Sequence, residues 1–199
     1  MVGILSAHHK WALDPCLPVP SSAMVDEHSE QIKCTKIPVE LTLPLRHSVL
    51  WPDRPISFVR LPEDDLGLHY GAFLPQNGVP VAVISLFLVA IPIDVTSRPQ
   101  ATVLEPSVPQ QVAVRFRKFA CDPPFQKIGI GTQLLKHSLS MARSELGVTI
   151  AWCDARTSTK AWYTKRGFEP IGPVFYKADV EYVRMKIQLD DFFLSYKES

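Results

Sequence analysis

The chain has 199 residues, enough for one compact domain and too few for two ordinary ones. Its 46% hydrophobic content is that of a globular fold, and 21 basic against 20 acidic side chains leave a net charge of +1, a balance that gives no broad electrostatic footprint for nucleic acid or an acidic membrane. The longest apolar run, Val79 to Ile93, falls short of the roughly 20 residues a membrane helix needs and contains Pro80, Ser85 and Pro92, so it reads as a core strand.

Residues 1–35 carry Pro15, Pro18 and Pro20 without sustained periodicity and form an extension, loosely ordered or laid on the surface. The adjacent His8 and His9 do not share one side of a helix or strand, and Cys16, Cys34, Cys121 and Cys153 lack metal-type spacing, so no metal site is expected. With no basic region followed by a long apolar run at the N-terminus, the expected setting is reducing and cytoplasmic. The domain proper is expected over residues 36–189. Ile37 to Leu43 reads as a strand or extended lead-in, and Leu45 to Leu50 as a short helix stopped by Trp51-Pro52. Leu68 to Leu74 and Val79 to Ile91 read as an antiparallel pair joined through Pro75-Gln76-Asn77-Gly78, whose Asn-Gly is a strong turn signal. Residues 92–110, interrupted by Pro92, Pro99, Pro106 and Pro109, form a connection longer than most loops in compact domains.

From Val112 to Leu146 the pattern is one strand, one tight turn and one helix. Val112, Val114 and Phe116 alternate with Ala113, Arg115 and Arg117, and the alternation stops at Asp122-Pro123-Pro124. Leu135, Leu139, Ala142 and Leu146 then fall at helical spacing, with Gly147 where a left-handed cap is wanted. Val148 to Cys153 is the next strand, with Asp154 to Thr157 as its exit loop. Thr157 or Ser158 can cap a helix that runs to Arg166 and ends at Gly167. Phe175 to Lys177 and Tyr182 to Leu189 close the sheet, and residues 190–199 read as a tail, unusually aromatic with Phe192, Phe193 and Tyr196.

The chemistry is concentrated in the turn Gln126-Lys127-Ile128-Gly129-Ile130-Gly131-Thr132. Two glycines let the backbone approach a ligand closely, the first helical turn offers free N–H groups, and Lys127 adds a positive charge, so a phosphate or pyrophosphate is the natural occupant. A nucleotide phosphate loop needs Gly-Lys-Ser/Thr, but Thr132 follows Gly131 directly; a dinucleotide fingerprint needs a third small residue, and that position is Leu134. Both fit poorly, which leaves a nucleotide-phosphate binder on another α/β scaffold as a weaker reading.

The pattern Gln126-x-x-Gly129-x-Gly131 after a strand, opening an amphipathic helix, resembles the cofactor motif of the GNAT superfamily of acyl-CoA-dependent N-acyltransferases. Downstream, Trp162-Tyr163-Thr164-Lys165-Arg166-Gly167-Phe168 resembles that family's second signature, and the resemblance covers roughly residues 41–189. It implies an α+β fold: a single GNAT-like domain with a mixed, mostly antiparallel sheet of about six to seven strands, helices on both faces and a central strand–turn–helix cofactor unit. It also implies an N-acetyltransferase that passes the acetyl group of acetyl-CoA to a primary amine by direct attack. The alternative is a catalytically silent module that binds CoA or acyl-CoA. A homodimer is compatible with the family.

By the same resemblance the strand at Phe116 to Cys121 parts from the strand at Val148 to Cys153, and the cofactor's amide-bearing arm enters the gap beside the backbone of Phe119, Ala120 and Cys121. The turn from Gln126 through Lys127, Ile128, Gly129, Ile130 and Gly131 to Thr132 would hold the phosphates, with Arg156 where the family more often has asparagine. Tyr163 matches the general-acid position, and a phenol of pKa near ~10 is serviceable against a thiol near ~8.5. His47 and Trp51 become acceptor-site candidates, as do Arg115 and Arg117, whose shared face would select an acidic substrate group. The general base is left open among Glu181, Asp154 and His47.

Overall fold

A computed structural model describes residues 32–75, 77–92 and 113–194. Most of the N-terminal extension, most of the long proline-rich connection and residues 195–199 lie outside the described part. Seven strands make one sheet: β1 (Lys33–Lys36), β2 (Leu68–Phe73), β3 (Ala82–Leu88), β4 (Ala113–Cys121), β5 (Ile150–Arg156), β6 (Glu169–Lys177) and β7 (Val180–Gln188), in the spatial order β1-β2-β3-β4-β5-β7-β6. Every neighbouring pair is antiparallel except β4 and β5, which run parallel. The helices are α1 (Leu43–Leu45), which continues as a π-turn over Arg46–Leu50, then α2 (Ile130–Leu146), α3 (Lys160–Thr164) and α4 (Leu189–Leu194). This is the α+β fold the motifs imply.

The sheet's central strands are buried because a helix covers them. Leu134, Leu135, Ser138, Leu139 and Ala142 recur at helical spacing on α2, all fully buried, and pack with Tyr70, Ile84, Leu86, Val114 and Phe116 from β2, β3 and β4. Gly147 closes the helix at φ 63, where its N–H reaches the Arg143 carbonyl at 3.1 Å, as the sequence predicts.

Several boundaries differ from expectation for identifiable reasons. The first strand is Lys33–Lys36 rather than Ile37 to Leu43, because Pro38 opens a 3-10 turn over Val39–Thr42. β5 runs on through the expected exit loop to Arg156, held there by β7 pairing from Ile150 opposite Gln188 to Arg156 opposite Tyr182. No side chain caps α3; the Thr159 hydroxyl instead donates to the Arg156 carbonyl at 2.8 Å. The start of the aromatic tail is α4, which buries Phe192 against Phe168 at a centroid distance of 6.2 Å. An aromatic end is explained by that burial.

On the other face a buried ion pair fixes the loop before β2. Arg46 is fully buried and donates to Asp64 at 2.6 and 3.0 Å, to the Ser85 hydroxyl at 2.6 Å and to the Val59 carbonyl at 3.3 Å. His69 completes the network, its Nδ1 2.7 Å from Ser85 and its Nε2 2.9 Å from the Asp64 carbonyl. Burial, then the adjacent Arg46 charge, pulls the His69 pKa down. Burial opposes ionisation of Asp64, but hydrogen bonds from Arg46 and the Leu61 N–H outweigh it and hold the carboxyl below its usual range. In both cases the unfolded chain binds protons more readily than the folded one, so stability falls with falling pH. Thermal melts should show the first loss as the unfolded histidine begins to protonate, below about pH 6.5, and a second below about pH 4. His69→Gln should flatten the first step; a melting temperature independent of pH from 7 to 5 would refute the linkage.

Candidate active site

The site is built where β4 leaves β5. Their pairing is confined to Ala113, Val114 and Arg115 against Ile150, Ala151 and Trp152. Beyond that point β4 stays with β3 while β5 stays with β7, so a gap opens between two strands whose inner backbone groups have lost each other as partners. A bulge assists the departure: the β3–β4 register shifts between Val83 and Ser85, and Lys118 stands at φ 53 in the bulged stretch.

A cleft of about 570 Å³ lies along this gap on the α2 side, lined by Phe119, Ala120, Cys121, Gln126, Lys127, Gly129, Gly131, Thr132, Thr159, Trp162, Tyr163 and Arg166. Its far end is the glycine turn. Lys127 at φ 65 and Gly129 at φ 93 both adopt the left-handed region, which curls the chain so that the first turn of α2 opens into the cleft. Gly129 is needed for that angle and not for room, because a Cβ there would meet nothing within 4 Å but would be strained at φ 93. Gln126 secures the turn to the end of β4 by donating its side-chain amide to the Cys121 carbonyl at 2.8 Å.

Arg166, absent from the residues the motifs nominate for ligand contact, ties the two sides together. It donates from Nη2 and Nε to the Thr132 hydroxyl at 2.6 and 3.2 Å and from Nη1 to the Trp162 carbonyl at 2.8 Å, with its guanidinium 3.6 Å from the Trp162 ring centroid. A charge is thereby fixed beside the α2 N-terminus. Trp162 and Thr159 also line the cleft without having been nominated. Trp162 and Arg166 lie within the second motif, whose helical spacing could have drawn attention to them.

Tyr163 is 8% exposed, its ring packed on Trp162 at 4.9 Å, Phe168 at 5.5 Å and Phe116 at 5.9 Å. Its hydroxyl shares a hydrogen bond with the Cys153 thiol, one residue past the last β5 residue paired to β4, so it stands at the lip of the gap. Burial above all, then Cys153, raises its pKa well above 10 and keeps the phenol protonated. Burial likewise pushes the Cys121 thiol in the cleft up to about 11. Of the remaining turn residues, the Ile130 side chain is fully buried in the core and Ile128 is 42% exposed, so neither side chain lines the cleft. Arg156 is exposed at the end of β5, outside the lining.

The acceptor-side candidates divide. Trp51 sits on the face opposite α2, its ring 3.6 Å under the Lys118 ammonium and edge-on to Phe58 at 6.1 Å. Burial, reinforced by Arg46 and Arg117, lowers the Lys118 pKa to about 8. His47 is held away, its Nε2 2.6 Å from the Arg54 carbonyl. Arg117 pairs with Glu63, and Arg115 donates to Asp154 at 2.6 Å. Asp154 also accepts from Lys177 at 2.8 Å and Arg184 at 2.9 Å; these bonds overcome the opposing effect of burial and keep its pKa low. Glu181 accepts from the Tyr176 hydroxyl at 3.0 Å. The three base candidates are therefore all engaged.

Comparison with known proteins agrees with this geometry. Residues 107–189 match the model of the acetyltransferase (GNAT) domain. The chain is 28% identical over 141 residues to an uncharacterized N-acetyltransferase, YitI of Bacillus subtilis, covering 70% of this chain and 83% of that one. Among solved structures it resembles a putative N-acetyltransferase from Lactobacillus plantarum, with TM-score 0.61 and 20% identity over 80% of this chain and 99% of that one. It also resembles a GNAT family acetyltransferase from Elizabethkingia anophelis with acetyl-CoA bound, with TM-score 0.52 and 14% identity over 80% of this chain and 99% of the other. At such identity the structures establish the fold. The structure is thus a single GNAT-fold domain, within which residues 107–189 match the acetyltransferase (GNAT) domain model.

Proposed function

We propose that the chain transfers the acetyl group of acetyl-CoA to a primary amine by direct attack, in the cytoplasm. The observation that carries this reading is the gap between β4 and β5, with an anion-accepting glycine turn at one end and a protonated tyrosine at its lip. The turn and Arg166 suit the phosphates, and the β4 edge at Phe119 to Cys121, paired to β3 on one side and left by β5 on the other, suits the amides of the arm. A backbone N–H of that stretch would meet the thioester oxygen. As the amine nitrogen bonds to the carbonyl carbon, the carbon–sulfur bond breaks and the sulfur takes up charge beside Tyr163. A phenol with a raised pKa is a weak acid, but burial also raises a thiolate's proton affinity in the same cleft, as at Cys121, which works against that weakness.

Thiol release from acetyl-CoA tests the reading against amine classes: amino acids, polyamines, aminosugars, arylamines and peptides. Release that depends on the amine and yields its N-acetyl product is the expected result. The engagement of His47, Asp154 and Glu181 favours one other reading, a module that binds acyl-CoA without turnover; it would leave the thioester intact with every amine. In either case Arg166→Gln should weaken CoA about tenfold in calorimetric titration, because a fixed charge beside the phosphates is removed. Unchanged affinity would confine Arg166 to tying α3 to α2.

A further inference from the structure

The chain's near-neutral charge is not evenly spread, and its imbalance falls at one end of the reaction gap. On the sheet face opposite α2, three cations from three strands converge on one carboxylate: Arg115 of β4, Arg184 of β7 and Lys177 of β6 all bond to Asp154 of β5. Asp154 has a side chain only 4% exposed, whereas Arg115, Arg184 and Lys177 are 20%, 25% and 45% exposed. One negative charge thus lies beneath three positive ones, an excess of two facing outward.

Bonding within the cluster is incomplete. Among the described residues Arg184 donates only its Nε, to Asp154, so its two terminal amino groups have no protein acceptor. Arg115 donates one terminal amino group, and its buried Nε has no partner. Both guanidiniums are stacked on the Trp152 ring, at 4.6 Å for Arg115 and 5.0 Å for Arg184, and Arg184 also lies 5.6 Å from Phe175. Stacking holds their donor edges in place before a ligand arrives. Planar donors fixed in this way suit a carboxylate or phosphate.

Position gives the cluster its meaning. Arg115 and Trp152 are the last paired residues before β4 and β5 part, and Asp154 is the next residue of β5 on the same face. An amine reaching the gap from the side away from α2 passes directly over them.

We infer that this face binds the acceptor by an anionic group, with Arg184 and Arg115 over Trp152 as the receiving pair, so that the substrate is an amine that also carries a carboxylate or phosphate. The inference rests on the acetyl-transfer reading for its chemistry but not for its binding site. Arg115 keeps the selecting role that its place on the strand predicts. Arg117, bound to Glu63, does not share it.

The test compares amines that differ in one charge: 4-aminobutyrate with 4-aminobutanamide, and phosphoethanolamine with ethanolamine, each with acetyl-CoA. The charged member of at least one pair should have a kcat/KM higher by about tenfold or more, and which pair it is separates carboxylate from phosphate. Arg184→Gln, checked by thermal melt for a folded domain, should remove most of that preference by raising KM for the charged amine. Equal kcat/KM within both pairs overturns the inference. Where no amine is acetylated, calorimetric binding of 4-acetamidobutyrate and of N-acetylphosphoethanolamine decides: saturable binding lost in Arg184→Gln upholds the anion site while the transfer reading fails, and no binding overturns the site itself.

Discussion

Gly131→Glu is expected to abolish measurable CoA binding, a loss on the order of 10²-fold or more, in a domain that melts within a few degrees of the parent. The two glycines of the turn are not equivalent in this test. Gly129 has φ 93, so any side chain there strains the backbone, and a lost affinity could be blamed on a distorted turn. Gly131 lies inside α2 with ordinary helical geometry, and a Cβ would meet the Phe119 ring at 3.4 Å, an ordinary contact. A carboxylate in the first helical turn is favourable to the helix itself, since it answers the partial positive charge of the N-terminus. The same charge occupies the place a pyrophosphate would take. Gly131→Ala, which adds the Cβ without the charge, should retain most of the affinity. If calorimetry found CoA bound equally well by Gly131→Glu, the phosphates would have to lie elsewhere than at this turn.

The parts of this architecture that were readable in the sequence are those governed by local rules. Alternation through Phe116, the helical spacing from Leu135 to Leu146 and the left-handed cap at Gly147 each depend on a few consecutive residues, and the structure has them all. The parting of β4 from β5 was reached only through the resemblance, because nothing in either strand's pattern records which neighbour it loses. Segments read less well where a partner distant in the chain decides the outcome. Asp154 to Arg156 looked like a loop because polar residues follow Cys153; pairing with β7 makes it strand, and Arg184 and Lys177 supply the charges that bury Asp154. The Asn77-Gly78 signal likewise lies between strands that do pair, yet Phe73 and Ala82 bound a connection longer than a tight hairpin, in which the Asn77 N–H bonds to Leu74 at 3.1 Å.

Side-chain chemistry at the site shows the same division. Arg166 and Lys118 drew no attention as isolated cations, since most lysines and arginines are solvated. Their character comes from tertiary neighbours: Trp162 and Thr132 fix the first, while Trp51 and burial lower the pKa of the second to about 8. Of the four residues proposed for the acceptor, Trp51 lies under Lys118 of β4 and Arg115 is bound to Asp154, while His47 is engaged with Arg54 and Arg117 with Glu63.

Tyr163→Phe should lower kcat by roughly 10²- to 10⁴-fold with little change in CoA affinity. The substitution isolates one proton, because the ring contacts with Trp162, Phe116 and Phe168 do not involve the hydroxyl. Loss of the hydrogen bond shared with Cys153 should cost stability on the order of 1 kcal/mol, too little to unfold an ordinary domain. What remains is a leaving sulfur without its donor in a cleft that burial makes inhospitable to negative charge, as the raised Cys121 thiol shows. An acyl donor built on a more acidic thiol needs that donor less, so it should recover part of the lost rate in the variant and gain little in the parent. Because its pKa lies well above 10, Tyr163 should also cause no fall in the parent's kcat up to about pH 10. A variant with parental kcat, measured where chemistry rather than product release limits turnover, would return Tyr163 to the aromatic core and leave the departing thiolate to be stabilised by another group.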